Sequence, residues 1–259
     1  MGKIRFKKQN KTLDKKLLFL CFLLTSFGLV AVADASSYQA LEVFLDKFYF
    51  VKQQALWALI GFVALLVFSK INYLFWEKVA TPLFFISIVI LVLVLIPGIG
   101  TKFLGAQRWI LMGPVSFQPS EIVKLTLSIY LAKLSAKRKP PISFLLPVGI
   151  TALLIMMQPD LGTTLVIAGI SAFQIFVSGM NLFYLLSGGI IGVAVSFVLI
   201  IISPYRKTRL LTFLAQTNDP LGSGYHIRQV LLGLGSGGLL GTGLGQGRQK
   251  YLFLPEAAT

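Results

Sequence analysis

The chain has 259 residues, with 24 Lys+Arg against 9 Asp+Glu, and so a formal net charge of +15. It is 56% hydrophobic and 13% charged, with a mean hydropathy of +0.81, whereas a soluble domain is about a quarter charged. These values exclude a soluble globular domain, a disordered tail and a collagen-like fibre, and indicate a protein whose main solvent is lipid. On such a chain the positive excess sets orientation and meets anionic lipid, and nucleic acid is not an expected partner.

Residues 1–16 form a basic tail: Lys3, Arg5, Lys7, Lys8, Lys11, Lys15 and Lys16 against Asp14. An apolar run follows, Leu17 to Ala33, holding the single cysteine, Cys21. One cysteine excludes a disulfide framework. A basic stretch before an apolar run also fits a signal peptide, but the run is long and many more follow, so it is read as a first membrane helix. Further apolar runs cover about 51–69, 79–97, 119–134, 143–158, 161–179 and 183–203. The runs are unbroken rather than alternating, so helices are expected and not strands. The expected fold is all-α: a polytopic bundle with seven transmembrane helices over 17–203, then a long loop over 204–259.

The seven N-terminal cations place the N-terminus in the cytoplasm. Loops 70–78 and 133–142 then fall on the cytoplasmic side, with Lys70, Lys78, Lys133, Lys137, Arg138 and Lys139. The outer segments are 34–50, 98–118, the turn at 158–161 and everything after Ser203. That last segment carries Arg206, Lys207, Arg209, Arg228, Arg248 and Lys250, which runs against the charge rule. An anionic ligand such as a lipid phosphate is one reason to hold cations there.

Ionisable groups near membrane spans are functional candidates, because burying them alone is costly. Gln118-Pro119-Ser120-Glu121 opens the fourth span. Pro119 suits a helix start, and Glu121 lies in the first turn, where the helix dipole favours an anion. Glu121 and Lys124 share a face at i, i+3, and serve either as a self-neutralising pair or in a site. Gln158-Pro159-Asp160-Leu161-Gly162-Thr163 joins two spans. Asp160 either caps the following helix or faces a polar cavity, and the two are compatible. Trp109 fits an interfacial belt, and Arg108 beside it either binds phosphate or snorkels. The glycine-rich stretch 233–247 contains Gly233, Gly235 and Gly238 in a G-x-G-x-x-G pattern, but it does not sit in a βαβ unit, and dinucleotide binding is not supported. No nucleotide is expected. His226 is read as a loop polar group, and no His/Cys cluster suggests zinc.

Taken in order, these segments resemble the SEDS family (shape, elongation, division and sporulation), most closely its FtsW-type cell-division branch. The resemblance rests on Gly105-Ala106-Gln107-Arg108-Trp109, Phe117-Gln118-Pro119-Ser120-Glu121 with Lys124, and Gln158-Pro159-Asp160-Leu161-Gly162-Thr163. It continues through Tyr205-Arg206 with Arg209, Asp219-Pro220 with Gly224-Tyr225, Gln229, the glycine stretch, and Gln249-Lys250 ahead of Leu254-Pro255-Glu256-Ala257-Ala258-Thr259.

The resemblance implies a ten-helix peptidoglycan glycosyltransferase of the bacterial plasma membrane. Such an enzyme polymerises lipid II on the outer face, releases undecaprenyl diphosphate, and works with a class B penicillin-binding protein and other divisome or elongasome membrane proteins. A carboxylate acts as general base, and cations, with a divalent metal such as Mg or Mn, stabilise the leaving diphosphate. The candidates for diphosphate binding are Arg108, Arg206, Arg209 and Lys250. Trp109, Gln118, Glu121, Lys124, Asp160, Tyr225, Gln229 and Glu256 form the expected supporting network. The family's presumed catalytic aspartate directly follows the Pro-Glu-x-x-Thr segment, so it would come after Thr259, and Ala258 stands where members often have His. The expectation is a fragment of a longer protein, without its catalytic residue and inactive as a polymerase. A lipid II flippase and a non-catalytic scaffold are the alternatives.

Overall fold

The computed structural model describes residues 14–103, 106–113, 115–202, 207, 211, 225–238, 241–243 and 245–251. They fall into two compact units, one within 1–71 and 208–259, the other within 72–207.

The first unit begins with α1 (Lys15–Phe44), whose N-terminus is capped by the Asp14 carboxylate accepting from the Lys16 and Leu17 amides. Helix α1 runs 11 residues past Ala33, into what the sequence suggests is an outer loop. Asp34, Ser36, Ser37 and Gln39 make that stretch polar, but no Gly or Pro breaks it. Polarity ends a membrane span without ending a helix. The helix stops only at Leu45, in left-handed conformation at φ 55°. Phe44 stacks on Tyr49, with ring centroids 3.8 Å apart, and Asp46 pairs with Lys52 at 2.6 Å, closing the turn into α2 (Tyr49–Lys70). No residue of α2 is buried. The unit also holds α8 (Tyr225–Gly237) and a short 3-10 turn, Arg248–Lys250. The glycine stretch is therefore helical at its start.

The second unit contains α3 (Tyr73–Leu93), α4 (Pro119–Ala136), α5 (Ile142–Met157), α6 (Leu161–Val177) and α7 (Leu182–Ile202). The seven expected spans are all helices. Four of them (α1, α2, α3 and α7) are long and apolar enough to cross a membrane, and α5 and α6 are shorter apolar helices. Helix α4 is the hub, touching α3, α5 and α6. Its buried Val123, Leu127, Leu131 and Leu134 follow helical spacing, and they pack with Phe84, Leu91, Phe144, Ile155, Ile167 and Ile175. Polar side chains also join these helices: Ser87 with Thr126 at 2.7 Å, Gln174 with Ser128 at 2.7 Å, and Lys133 with Thr81 at 2.8 Å. Hydrogen bonds and close packing stand in for the hydrophobic effect between helices in lipid.

The expectation of no strands holds for the spans, but the outer segment 98–118 is a small antiparallel sheet in the order β1-β2-β3: β1 (Thr101–Phe103), β2 (Ala106–Met112) and β3 (Val115–Phe117). Trp109 faces Thr101 across β1 and β2, and Ile110 faces Phe117 across β2 and β3. These strands are three to seven residues long, far too short to register as spans. Gly100 precedes the sheet where a Cβ would collide with the Val94 carbonyl and lie 2.8 Å from Gln107 Cγ, so the tight approach requires glycine.

Candidate functional site

In the second unit, polar groups gather where the sheet, the start of α4 and the α5–α6 turn meet. Arg108 reaches from β2 to that turn. Its Nε donates to the Gln158 carbonyl at 3.1 Å, and Nη2 donates to the Pro159 carbonyl. Its Nη1 lies 3.7 Å from Asp160 Oδ2, an ion pair too long to be a hydrogen bond. The Arg108 side chain keeps 25% of its surface exposed. Guanidinium carries five N–H donors, and two are used on protein carbonyls, so three remain for another acceptor.

Asp160 does what its position in sequence suggests. Oδ1 accepts from the Thr163 amide at 3.0 Å and caps α6, and Oδ2 accepts from Gln118 Nε2 at 3.5 Å. Its backbone carbonyl accepts from Thr164 Oγ1 at 2.7 Å. Gln158 is almost wholly buried and donates to the Leu91 carbonyl of α3 at 3.2 Å. Gln107 donates to the Ile96 and Gly100 carbonyls at 3.1 and 2.9 Å. Sequence analysis did not single out Gln107 as a site residue. An amide with carbonyl partners on both sides of a sharp bend is its structural signature, and the sequence carries no such signal.

Pro119 takes the first position of α4, as expected. Glu121 and Lys124 pair at 2.7 Å, with the Glu121 side chain 57% exposed. The i, i+3 ion pair is present, and no direct bond joins it to Arg108. The Trp109 carbonyl accepts from Thr101 Oγ1 at 3.0 Å, and its half-buried side chain stands on the same strand as Arg108.

The first unit holds a separate cluster. Lys250 Nζ donates to Asp34 Oδ1 of α1 at 2.7 Å and to the Gly245 carbonyl at 2.7 Å. The Gly245 amide donates to Asp34 Oδ2 at 3.0 Å. Tyr225 and Gln229 are half-buried in α8. Arg206, Arg209 and Glu256 lie outside the described residues. Among the described residues, no cluster of three or more His, Cys, Asp or Glu side chains is arranged to hold a metal ion.

A family model for cell cycle proteins, covering FtsW, RodA and SpoVE, matches residues 15–259. The probable peptidoglycan glycosyltransferase FtsW of Trichlorobacter lovleyi is 41% identical over 254 residues, which cover 95% of this chain and 67% of that protein. Stage V sporulation protein E of Bacillus subtilis is also 41% identical over 254 residues, covering 95% of this chain and 69% of that protein. Among solved structures, a chain of a peptidoglycan synthase complex that coordinates polymerization and crosslinking superposes with a TM-score of 0.67 at 29% identity, over 87% of this chain and 66% of that one. Thermus thermophilus rod shape determining protein RodA gives 0.61 at 26% identity, over 71% and 60%. The chain thus spans about two thirds of the length of the proteins it matches.

Proposed function

Because this chain belongs to the FtsW/RodA/SpoVE family of cell cycle proteins, multi-pass membrane proteins whose FtsW members bear the name peptidoglycan glycosyltransferase, we propose that it serves in polymerising lipid II at the outer face of the bacterial plasma membrane. Its N-terminus is proposed to be cytoplasmic, and its partner a class B penicillin-binding protein.

The single observation that carries a site for this chemistry is the seating of Arg108. Two backbone carbonyls fix the guanidinium beside Asp160, and its other three N–H groups, two of them on the Nη1 that faces Asp160, make no hydrogen bond within the protein. In the proposed reaction the acceptor sugar's 4-hydroxyl loses its proton to a carboxylate and attacks the donor's anomeric carbon. The bond from that carbon to the diphosphate breaks, and undecaprenyl diphosphate leaves with the electron pair. Positive groups held in place before the reaction stabilise that charge as it develops. Arg108 is assigned this role in its unit and Lys250 in the other, each by itself, with Arg206 and Arg209 proposed on the resemblance alone. No residue of the chain is proposed as the general base. The described residues offer no cluster of metal donors, so a divalent cation is proposed only as one that the diphosphate brings, and no step is routed through it.

The test is the gene product purified with its partner synthase in lipid vesicles and given lipid II. Glycan polymer that falls at least tenfold in Arg108→Ala supports the proposal. Lipid II moving between leaflets with no polymer formed favours the flippase instead.

A further inference from the structure

The carboxylate that holds Lys250 lies 216 residues away in sequence, in the first membrane helix, and belongs to no part of the glycosyltransferase chemistry described above. Asp34, Lys250 and Gly245 close a ring of three bonds: ammonium to carboxylate at 2.7 Å, ammonium to Gly245 carbonyl at 2.7 Å, and Gly245 amide to the other carboxylate oxygen at 3.0 Å. Both carboxylate oxygens are used. The Lys250 side chain is only 13% exposed, and Asp34 is 32% exposed.

Neighbouring contacts repeat the same register. Tyr38 lies one turn beyond Asp34 on the same face of α1. It meets Tyr251 edge to face, with centroids 5.1 Å apart. Gly233 of α8 packs closely on Gln249, whose Cγ would lie 3.1 Å from an added Cβ, a tight contact. Gly243 and Gly245, at φ 101° and 80°, make the turn that brings the Gly245 amide and carbonyl to the ring, a conformation that side-chain-bearing residues rarely adopt. Consecutive residues 249, 250 and 251 are therefore each seated on a different partner.

We propose that Asp34 is the positioning residue for Lys250: its carboxylate fixes the ammonium and the 245–251 segment on α1, and leaves one ammonium N–H to meet a phosphate oxygen. The ammonium has three N–H donors, and two are spent within the ring. A flexible lysine stem is thereby given a single location without being fully consumed. This assignment rests on the reading of Lys250 as a diphosphate-binding group.

The test uses the complete gene product in lipid nanodiscs, in two measurements. The first is amide hydrogen exchange over 245–251. Asp34→Ala is expected to speed exchange there about tenfold, and Asp34→Asn, which keeps the shape and loses the charge, to act in between. The second is binding of undecaprenyl diphosphate. Asp34→Ala and Lys250→Ala are each expected to weaken it about tenfold, and the double variant no more than either alone, because Asp34 acts only through Lys250. Wild-type binding with unchanged exchange and affinity in both Asp34 variants overturns the assignment and leaves the proposed function standing. Additive losses in the double variant also overturn it. Loosened exchange in a protein that binds no diphosphate lipid supports Asp34 as the anchor and rejects the proposed function.

Discussion

Arg108 and Lys250 are both cations beside one carboxylate, yet the protein holds them in opposite ways. Arg108 is fixed by backbone: two carbonyls of the α5–α6 turn take its N–H groups, while Asp160 stays 3.7 Å away and is occupied in capping α6. Lys250 is fixed chiefly by charge, through a 2.7 Å bond to Asp34, with one backbone carbonyl, that of Gly245, also at 2.7 Å. Two carbonyls on consecutive residues are matched by the planar fork of a guanidinium, whose geometry a single ammonium does not reproduce. A carboxylate asks for a charge. The first seat should therefore survive loss of its acid, and the second should not.

The largest effect is expected from Arg108→Lys, which leaves at least one of two carbonyls unpaired. A loss of about 1–3 kcal/mol in stability is expected, read as a lowered unfolding temperature of the solubilised protein. Equal stability of this variant and the wild type would mean that the carbonyl seat is not what holds the sheet to the α5–α6 turn.

Next comes the contrast of acids. Asp160→Asn keeps an acceptor for the Thr163 amide and loses a long ion pair, so it should cost well under 1 kcal/mol, while Asp160→Ala also loses the cap and should cost about 1 kcal/mol. Equal costs for the two would place the weight on the ion pair and erase the distinction between the two seats. Thr126→Val, away from both clusters, should cost about 1 kcal/mol by breaking the bond to Ser87, measured in the same unfolding assay. It calibrates what a buried bond between helices contributes in this bundle.

The smallest effects belong to exposed pairs. Glu121→Gln should change stability by less than about 0.5 kcal/mol, because the Glu121 side chain is more than half exposed and its partner is one turn away on the same helix. Asp46 lies in the turn between α1 and α2. Its hydrogen bond from Lys52, and then that from the Phe48 amide, hold its carboxyl below the ordinary 3.8. A lowered carboxyl pKa stabilises the fold fully above the ordinary value and loses that support as pH falls through the lowered one. The turn should therefore loosen only below about pH 4, and Asp46→Asn should remove that acid-side change in exchange of the α2 N-terminal amides.

What was legible in the sequence is what is local. The α6 cap at Asp160, Pro119 at the start of α4 and the Glu121–Lys124 pair all depend on residues within four positions of one another, and all three are present. The partners of Arg108 and Lys250 are 50 and 216 residues away. No periodicity encodes them, although the family resemblance had pointed to the cations themselves. Asp34 carried a faint signal: an acid directly after the apolar run of the first helix, where an unpaired charge is costly. The sheet escaped because hydropathy windows tuned to twenty-residue spans average over strands of three to seven residues.

Arg108 is proposed as a cation seated in advance for an anionic lipid. The most direct measurement is lipid II binding to the complete gene product in nanodiscs, wild type against Arg108→Ala, with Asp46→Asn in the α1–α2 turn as control. At least tenfold weaker binding is expected for Arg108→Ala, with the control unchanged. Equal affinity of Arg108→Ala and wild type would show that the arginine only staples the sheet to the α5–α6 turn.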